Sequence, residues 1–305
     1  MKRMMLTFVM LIFAAAGVMA QENTTKVSAK AVRDVVYKTV NGEQIKLNLF
    51  LPLKDGKLGE NVPLLIWMDS GCWYSSTSKA GNGGFWASAR ALEKGFAVAS
   101  VAHRSLSNGN IFPSQIEDVR AAVRYLRAHA QEYGLDPNRF AASGASSGGH
   151  LCSMLGVPDK IFDVGENLEY SGQVNLVVEF YGPASPYIWI NNPPKSVPSC
   201  MYQVVGVPKE DLKPIIENVD KFNPMAKKCS PMTYVNADFA PTLILHGVMD
   251  TTVPVSQSVL FYESLLKAKV RTKLCIHNTG VHQIKSLGKT EDLAKIIFTF
   301  IDWKP

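Results

Sequence analysis

The sequence predicts an α/β protein built on a mostly parallel sheet covered by helices on both faces. Three observations predict it. Short apolar runs without alternation, at residues 63–68, 96–102 and 174–181, suit strands buried on both faces. Amphipathic stretches of helical period separate such runs along the chain. A hydrophobic content of 47% against 19% charged residues, in 305 residues, suits one large domain with a sizeable core.

The elements follow in order. Residues 34–39, a turn at Asn41-Gly42 and residues 44–51 read as a β-hairpin. The strand at 63–68 precedes a helix at 85–94, stopped by Gly95, and a second buried strand at 96–102. A long amphipathic helix over 114–133 starts at Ser114 after Pro113 and ends at Gly134. A short strand at 139–142 runs into a glycine-rich segment at 144–149, and a helix continues over 151–155. After the strand at 174–181, residues 182–240 are rich in Pro, Asn and Lys and show a helical pattern only near 210–219. So long an irregular stretch between strands is a lid or binding-site candidate. Strands at 242–246 and 272–276 flank a helix at 255–268, and the last helix falls within 284–303.

The first twenty residues stand apart. Lys2 and Arg3 precede an apolar run over 4–19, with Val18-Met19-Ala20 at the positions of a cleavage site. Residues 1–20 read as a signal peptide cut before Gln21, which implies a secreted or periplasmic protein; an uncleaved anchor is the alternative. No later apolar run has the length of a membrane span. The net charge of +6 is spread along the chain. Its densest basic patch, Lys227-Lys228, is too short to argue for nucleic acid. Five scattered cysteines show no metal-ligand spacing and no disulfide framework. Export permits one disulfide, and Cys200 with Cys229 is the expected pair because both lie in the irregular region.

The chemistry centres on Gly144-Ala145-Ser146-Ser147-Gly148, a G-x-S-x-G motif between a strand and a helix. That context lifts a serine hydroxyl out of a sheet on a strained turn, and the following helix aims free N–H groups at developing negative charge. Ser143 and Ser147 are the rivals, but only Ser146 has Gly at both −2 and +2, so Ser147 reads better as the backbone donor that follows the nucleophile. His150, one helical turn on, reads as structural.

The run from Phe112-Pro113 through Glu117-Asp118-Val119, Leu126-Arg127 and Gly134-Leu135-Asp136-Pro137-Asn138-Arg139 to Gly148-Gly149-His150-Leu151 resembles the esterase and lipase branch of the α/β-hydrolases. Within that branch it is most similar to bacterial feruloyl and acetylxylan esterases. The resemblance spans about 44–303. It implies an α/β-hydrolase fold over 21–305 with an inserted lid at about 183–240. The implied activity is that of a serine carboxylic-ester hydrolase acting on acetyl or feruloyl esters of plant polysaccharide fragments. Asp69-Ser70-Gly71-Cys72-Trp73 matches the family's oxyanion loop, with Gly71, Cys72 and Ser147 as backbone donors, although Asp69 and Ser70 depart from the usual residues.

A serine nucleophile needs a base and an orienting carboxylate, which follow it in the order acid, then histidine, on this fold. Asp250 in His246-Gly247-Val248-Met249-Asp250 resembles the acid loop, supported by His246; Asp238 lies on the wrong side of its strand. His282 in Gly280-Val281-His282-Gln283 is placed as the base, with His277 as its rival. Ser146, Asp250 and His282 then run an acyl-enzyme mechanism with no metal or organic cofactor. Trp73, Trp86, Tyr187, Trp189 and Tyr202 form either an aromatic platform for substrate or packing between lid and core. Trp73, Tyr187 and Trp189 are the expected substrate contacts. A peptidase or amidase on the same fold, or a silent binding protein, would share the fold; the complete triad argues against the silent protein.

Overall fold

The computed structural model describes residues 28–74, 85–158, 160–191, 198–207 and 215–303. The expected signal peptide at 1–20 lies outside them. Strands β1 (Ala29–Val40) and β2 (Glu43–Lys54) form the hairpin, closed where Asn41 and Gly42 both take positive φ. A turn of that hand matches the right-handed twist of the flanking strands. The two-residue β3 (Lys57–Leu58) pairs back on β2.

From there the sheet is parallel. Strands β4 (Val62–Met68), β5 (Ala97–Val101), β6 (Leu135–Ala145), β7 (Leu176–Phe180), β8 (Thr242–Gly247) and β9 (Thr272–His277) stand in the order β1-β2-β5-β4-β6-β7-β8-β9. Only β1 with β2, β2 with β3 and β2 with β5 run antiparallel. Every residue of β4, β7 and β8 is buried, as the unbroken apolar runs require of strands covered on both faces.

Helices α1 (Phe85–Glu93) and α9 (Thr290–Ile301) cover one face. Leu293, Ile297 and Phe300 there pack with Leu65, Trp67 and Leu243. Helices α2 (Ser114–Ala128), α4 (Ser147–Leu155) and α8 (Ser256–Lys267) cover the other, where Val119, Leu151 and Phe261 share a core with Leu64, Ile66 and Met68. Successive residues of β4 thus serve opposite cores, which is the period-2 consequence of the pleat.

Three boundaries differ from the sequence expectation. The long helix at 114–133 breaks at His129, whose φ of −104° and ψ of 17° leave the helical region, and α3 (Ala130–Tyr133) follows. The short strand at 139–142 extends to eleven residues, because Asp136 folds its own turn by accepting the Asn138 N–H while Leu135 already pairs with Val62. The stretch at 182–240 is not irregular throughout. It carries α5 (Pro186–Asn191), α6 (Ser199–Val204) and α7 (Ile215–Lys228). Six residues are too few to display a helical period, and Pro224 obscures it in α7. Among the described residues no helix is long and apolar enough to cross a membrane.

Register aligns the carboxyl ends of the parallel strands. Met68 pairs with Gly144, Ala145 with Phe180, Phe180 with Leu245, and Gly247 with His277. The loops that follow β4, β6, β8 and β9 therefore leave one edge side by side.

A buried ion cluster packs α2 against the chain that follows α4. Asp163 Oδ1 accepts from Arg120 Nε and Arg124 Nη1, each at 2.7 Å, and both guanidinium side chains are fully buried. Arg120 also donates to the Val157 carbonyl and Arg124 to that of Val164. The cluster clamps α2 to the segment between α4 and β7. Asp163→Ala would leave two uncompensated cations in the core, and is expected to cost about 3–5 kcal/mol in guanidinium unfolding.

Candidate active site

Ser146 lies between β6 and α4 with φ 56° and ψ −122°. A non-glycine residue there costs on the order of 1–3 kcal/mol and persists only where its surroundings enforce it. They do: the Ser146 N–H donates to the Phe180 carbonyl at 2.9 Å, and α4 starts at the next residue. The flanking glycines answer to the Met68 carbonyl of β4. A Cβ on Gly144 would stand 2.7 Å from that oxygen, and one on Gly148 would run into it. Ser147 is buried in the first turn of α4, where a backbone N–H has no partner within the helix.

The three predicted residues come together. Ser146 Oγ lies 2.9 Å from His282 Nε2, and His282 Nδ1 lies 2.6 Å from Asp250 Oδ2. Asp250 Oδ1 accepts the N–H groups of Thr252 and Val253 at 2.8 and 2.9 Å, so the loop after β8 holds its own carboxylate. Burial alone would raise the Asp250 carboxyl. Hydrogen bonds from His246, His282 and the Val253 N–H outweigh it and hold the group well below the usual carboxylate range. His277, the rival base, ends β9, and its Nδ1 is buried without a partner among the described residues.

His150 is tied into the core. It accepts from Trp73 Nε1 at 3.3 Å, and its Nε2 donates to the Cys229 carbonyl at 2.7 Å. Burial pushes its pKa down to about 4. His246 is fully buried behind Asp250, its Nε2 3.0 Å from the Val253 carbonyl and 3.3 Å from Asp250 Oδ2.

The loop after β4 winds tightly. Gly71, Cys72 and Trp73 have φ of 129°, 57° and 56°, and the Tyr74 N–H closes the turn on the Gly71 carbonyl at 2.9 Å. Two consecutive non-glycine residues in this region mark a strained loop beside the candidate nucleophile. Asp69 accepts from Trp67 Nε1 at 2.8 Å, and burial raises its carboxyl.

The expected Cys200–Cys229 disulfide is absent: all five cysteines are free thiols. Cys200, on α6, hydrogen-bonds to Cys72, which lowers the Cys72 thiol and raises that of Cys200. Cys229 is buried on the other side, with its sulfur 3.5 Å from His150 Nε2. Membership of one irregular region did not put Cys200 and Cys229 face to face, because Cys200 on α6 turns toward Cys72 in the loop after β4 while Cys229, after α7, turns toward His150 in the core.

Among the described residues two clefts flank Ser146 and His282. One of about 20 Å³ is lined by Ser146, Ser147, Cys72, Trp73, Trp189 and Met201. The other, of about 440 Å³, opens beside His282 and is lined by Ser70, Tyr181, Gln283, Lys285 and Thr290. Trp73 and Trp189 are 3% and 2% exposed, so they wall the small cleft instead of offering an open ring face. Tyr187 is half-buried with the Lys227 ammonium 4.8 Å from its ring centre, and Tyr202 packs half-buried on the core. The Trp86 side chain lies outside the described residues.

Sequence reasoning missed Tyr181, whose ring lies 4.5 Å from that of His282. It also missed Glu179 and Ser258, both buried behind Asp250. Glu179 carried a signal, as an acid within the apolar strand Leu176–Phe180.

The BD-FAE family profile matches residues 47–265. The chain belongs to the BD-FAE family. Among curated relatives it is 31% identical to the probable carboxylic ester hydrolase LipM of Mycobacterium tuberculosis, over 69% of this chain and 46% of that protein. It is 27% identical to esterase LipC of the same organism, over 67% of this chain and 48% of the relative. The chain spans about half the length of these curated relatives. Among solved structures, a truncated carbohydrate esterase from gut microbiota superposes with a TM-score of 0.72 at 25% identity, covering 90% of this chain and 97% of the other. A bifunctional GH43-CE protein of Bacteroides eggerthii gives 0.73 at 26%, covering 89% of this chain and 38% of that one. The fold is that of the α/β-hydrolases, as the motifs implied.

Gly148→Ala tests the elbow geometry. The added methyl has no room against the Met68 carbonyl, and a thermal melt is expected to show a loss of about 1–3 kcal/mol.

Proposed function

We propose that this protein is a secreted serine carboxylic-ester hydrolase that removes acetyl groups from a carbohydrate alcohol. The observation that carries the reading is the unbroken hydrogen-bonded line from Ser146 Oγ through His282 to Asp250. His282 Nε2 takes the Ser146 proton as the oxygen attacks the ester carbonyl. Asp250 fixes the Nδ1–H tautomer and stabilises the imidazolium. The N–H groups of the Gly71-Cys72 turn and of Ser147 hold the oxyanion. The same His282 nitrogen then protonates the departing alcohol and afterwards activates water against the acyl-enzyme.

That proton transfer assigns the clefts. The leaving oxygen must face His282, so the alcohol occupies the cleft of about 440 Å³, which is within the range of small-molecule sites. The acyl substituent then points toward Cys72, Trp73 and Trp189, where about 20 Å³ holds little more than a methyl group or a water. So narrow a space favours acetyl over a hydroxycinnamoyl ring. The polar lining of Ser70, Gln283, Lys285 and Thr290 suits a sugar, and the similar carbohydrate esterases of known structure support that choice. Export rests on Lys2, Arg3 and the apolar run that follows them.

Hydrolysis of p-nitrophenyl acetate, propionate and butyrate is expected to show kcat/KM falling by about 10–200-fold per added methylene once the small cleft is filled. Butyrate or ferulate esters cleaved as fast as acetate contradict the acyl assignment. Ser146→Ala is expected to lower kcat by about 10⁴–10⁶ with the circular dichroism spectrum unchanged. Asp250→Asn is expected to lower it by about 10⁴ through the wrong imidazole tautomer.

A further inference from the structure

Behind the triad a buried polar chain continues past Asp250 to a second carboxyl group. His246 Nδ1 lies 2.7 Å from Ser258 Oγ on α8, and Ser258 Oγ lies 3.4 Å from Glu179 Oε1 on β7. Glu179 is 1% exposed, and its other oxygen accepts the Gly182 N–H at 2.7 Å. We infer that Glu179 is a positioning residue: as the neutral acid it sets, through Ser258, the proton position of His246, and thereby the carboxylate that orients His282. The inference rests on the reading of Asp250 and His282 given above.

The proton positions follow from counting donors and acceptors along the chain. His246 Nε2 faces two acceptors, the Val253 carbonyl at 3.0 Å and Asp250 Oδ2 at 3.3 Å, so that nitrogen carries hydrogen. In the neutral ring Nδ1 is then a bare acceptor, and the Ser258 hydroxyl donates to it. Ser258 has only lone pairs left for Glu179, so a proton on Glu179 Oε1 is what makes that contact attractive. An ionised Glu179 reverses the order. Ser258 then turns its hydrogen to the carboxylate, and His246 Nδ1 faces oxygen lone pairs. That repulsion disturbs the ring whose Nε2 contacts Asp250 Oδ2.

The surroundings favour the acid. The titratable groups that feel Glu179 are Cys152 of α4 and Tyr181 just after β7, with Ser258 of α8 in contact and His246 and Asp250 beyond. Burial pushes the carboxyl up to about 8, against the hydrogen bond from the Gly182 N–H. Glu179 thus keeps its proton at neutral pH and releases it as the pH rises through that value.

The test compares Glu179→Gln with Glu179→Leu. Gln reproduces the neutral acid, donating to Ser258 and accepting from Gly182, whereas Leu does neither. In the pH profile of kcat/KM on p-nitrophenyl acetate, the wild type is expected to lose activity on the alkaline side with an apparent pKa of about 8. Glu179→Gln should stay within about threefold of wild type at pH 7 and lose that decline. Glu179→Leu should fall by about tenfold or more, as loss of a histidine's outer partner does elsewhere. Histidine side-chain nitrogen shifts in isotope-labelled protein should report His246 as the neutral Nε2–H tautomer in wild type and Glu179→Gln. A Gln variant as impaired as Leu, an alkaline limb unchanged in the Gln variant, or a wild-type His246 protonated at Nδ1 at pH 7 overturns the inference. Where Leu fails to fold, the Gln profile and the His246 shifts decide. A wild type that hydrolyses no ester refutes the triad reading, while the His246 tautomer still judges the role of Glu179.

Discussion

The strained backbone at Ser146 exists because three neighbours enforce it together. The Phe180 carbonyl of β7 takes its N–H, the Met68 carbonyl of β4 presses against both flanking glycines, and α4 starts immediately after it. Each depends on the parallel register that brings Met68, Ala145 and Phe180 to one edge of the sheet. Covering both faces of that sheet locks the register, since a one-residue slip would exchange the two cores. The serine hydroxyl is therefore held by the whole sheet. The loops that supply Asp250, His282 and the Gly71-Cys72 turn leave from the same edge, and need only short reaches to meet it.

Electrostatics sharpen what the sheet assembles. Asp250 is buried yet kept ionised by four donors, two from its own loop and two from histidines. Glu179, reached through His246 and Ser258, is equally buried and accepts the Gly182 N–H. Burial favours the uncharged form unless donors repay the lost hydration, so the two carboxyl groups settle in opposite states. In the proposed mechanism it is Asp250 that stabilises an imidazolium at His282.

Much of this was legible in the sequence. Gly144, Ser146 and Gly148 state a local steric demand, and chain order places Asp250 and His282 after later strands. The strands were legible because burial on both faces leaves an unbroken apolar run. The clefts were not, since α5 and α6 are too short to show a period and the wall formed by Trp189 and Met201 exists only once they dock. Pairing Cys200 with Cys229 failed for a related reason: nearness in sequence does not decide which way a short helix faces. Glu179 announced itself as an acid in a buried strand, but its partner Ser258 lies 79 residues away.

The most direct test of the site is the mass of the protein after reaction with a fluorophosphonate, which phosphonylates an activated serine. Peptide mapping is expected to find one adduct, on Ser146, lost in Ser146→Ala and strongly slowed in a His282→Ala variant. An adduct on Ser143, Ser147 or any residue remote from His282, or an unmodified wild-type protein, would contradict the site as described.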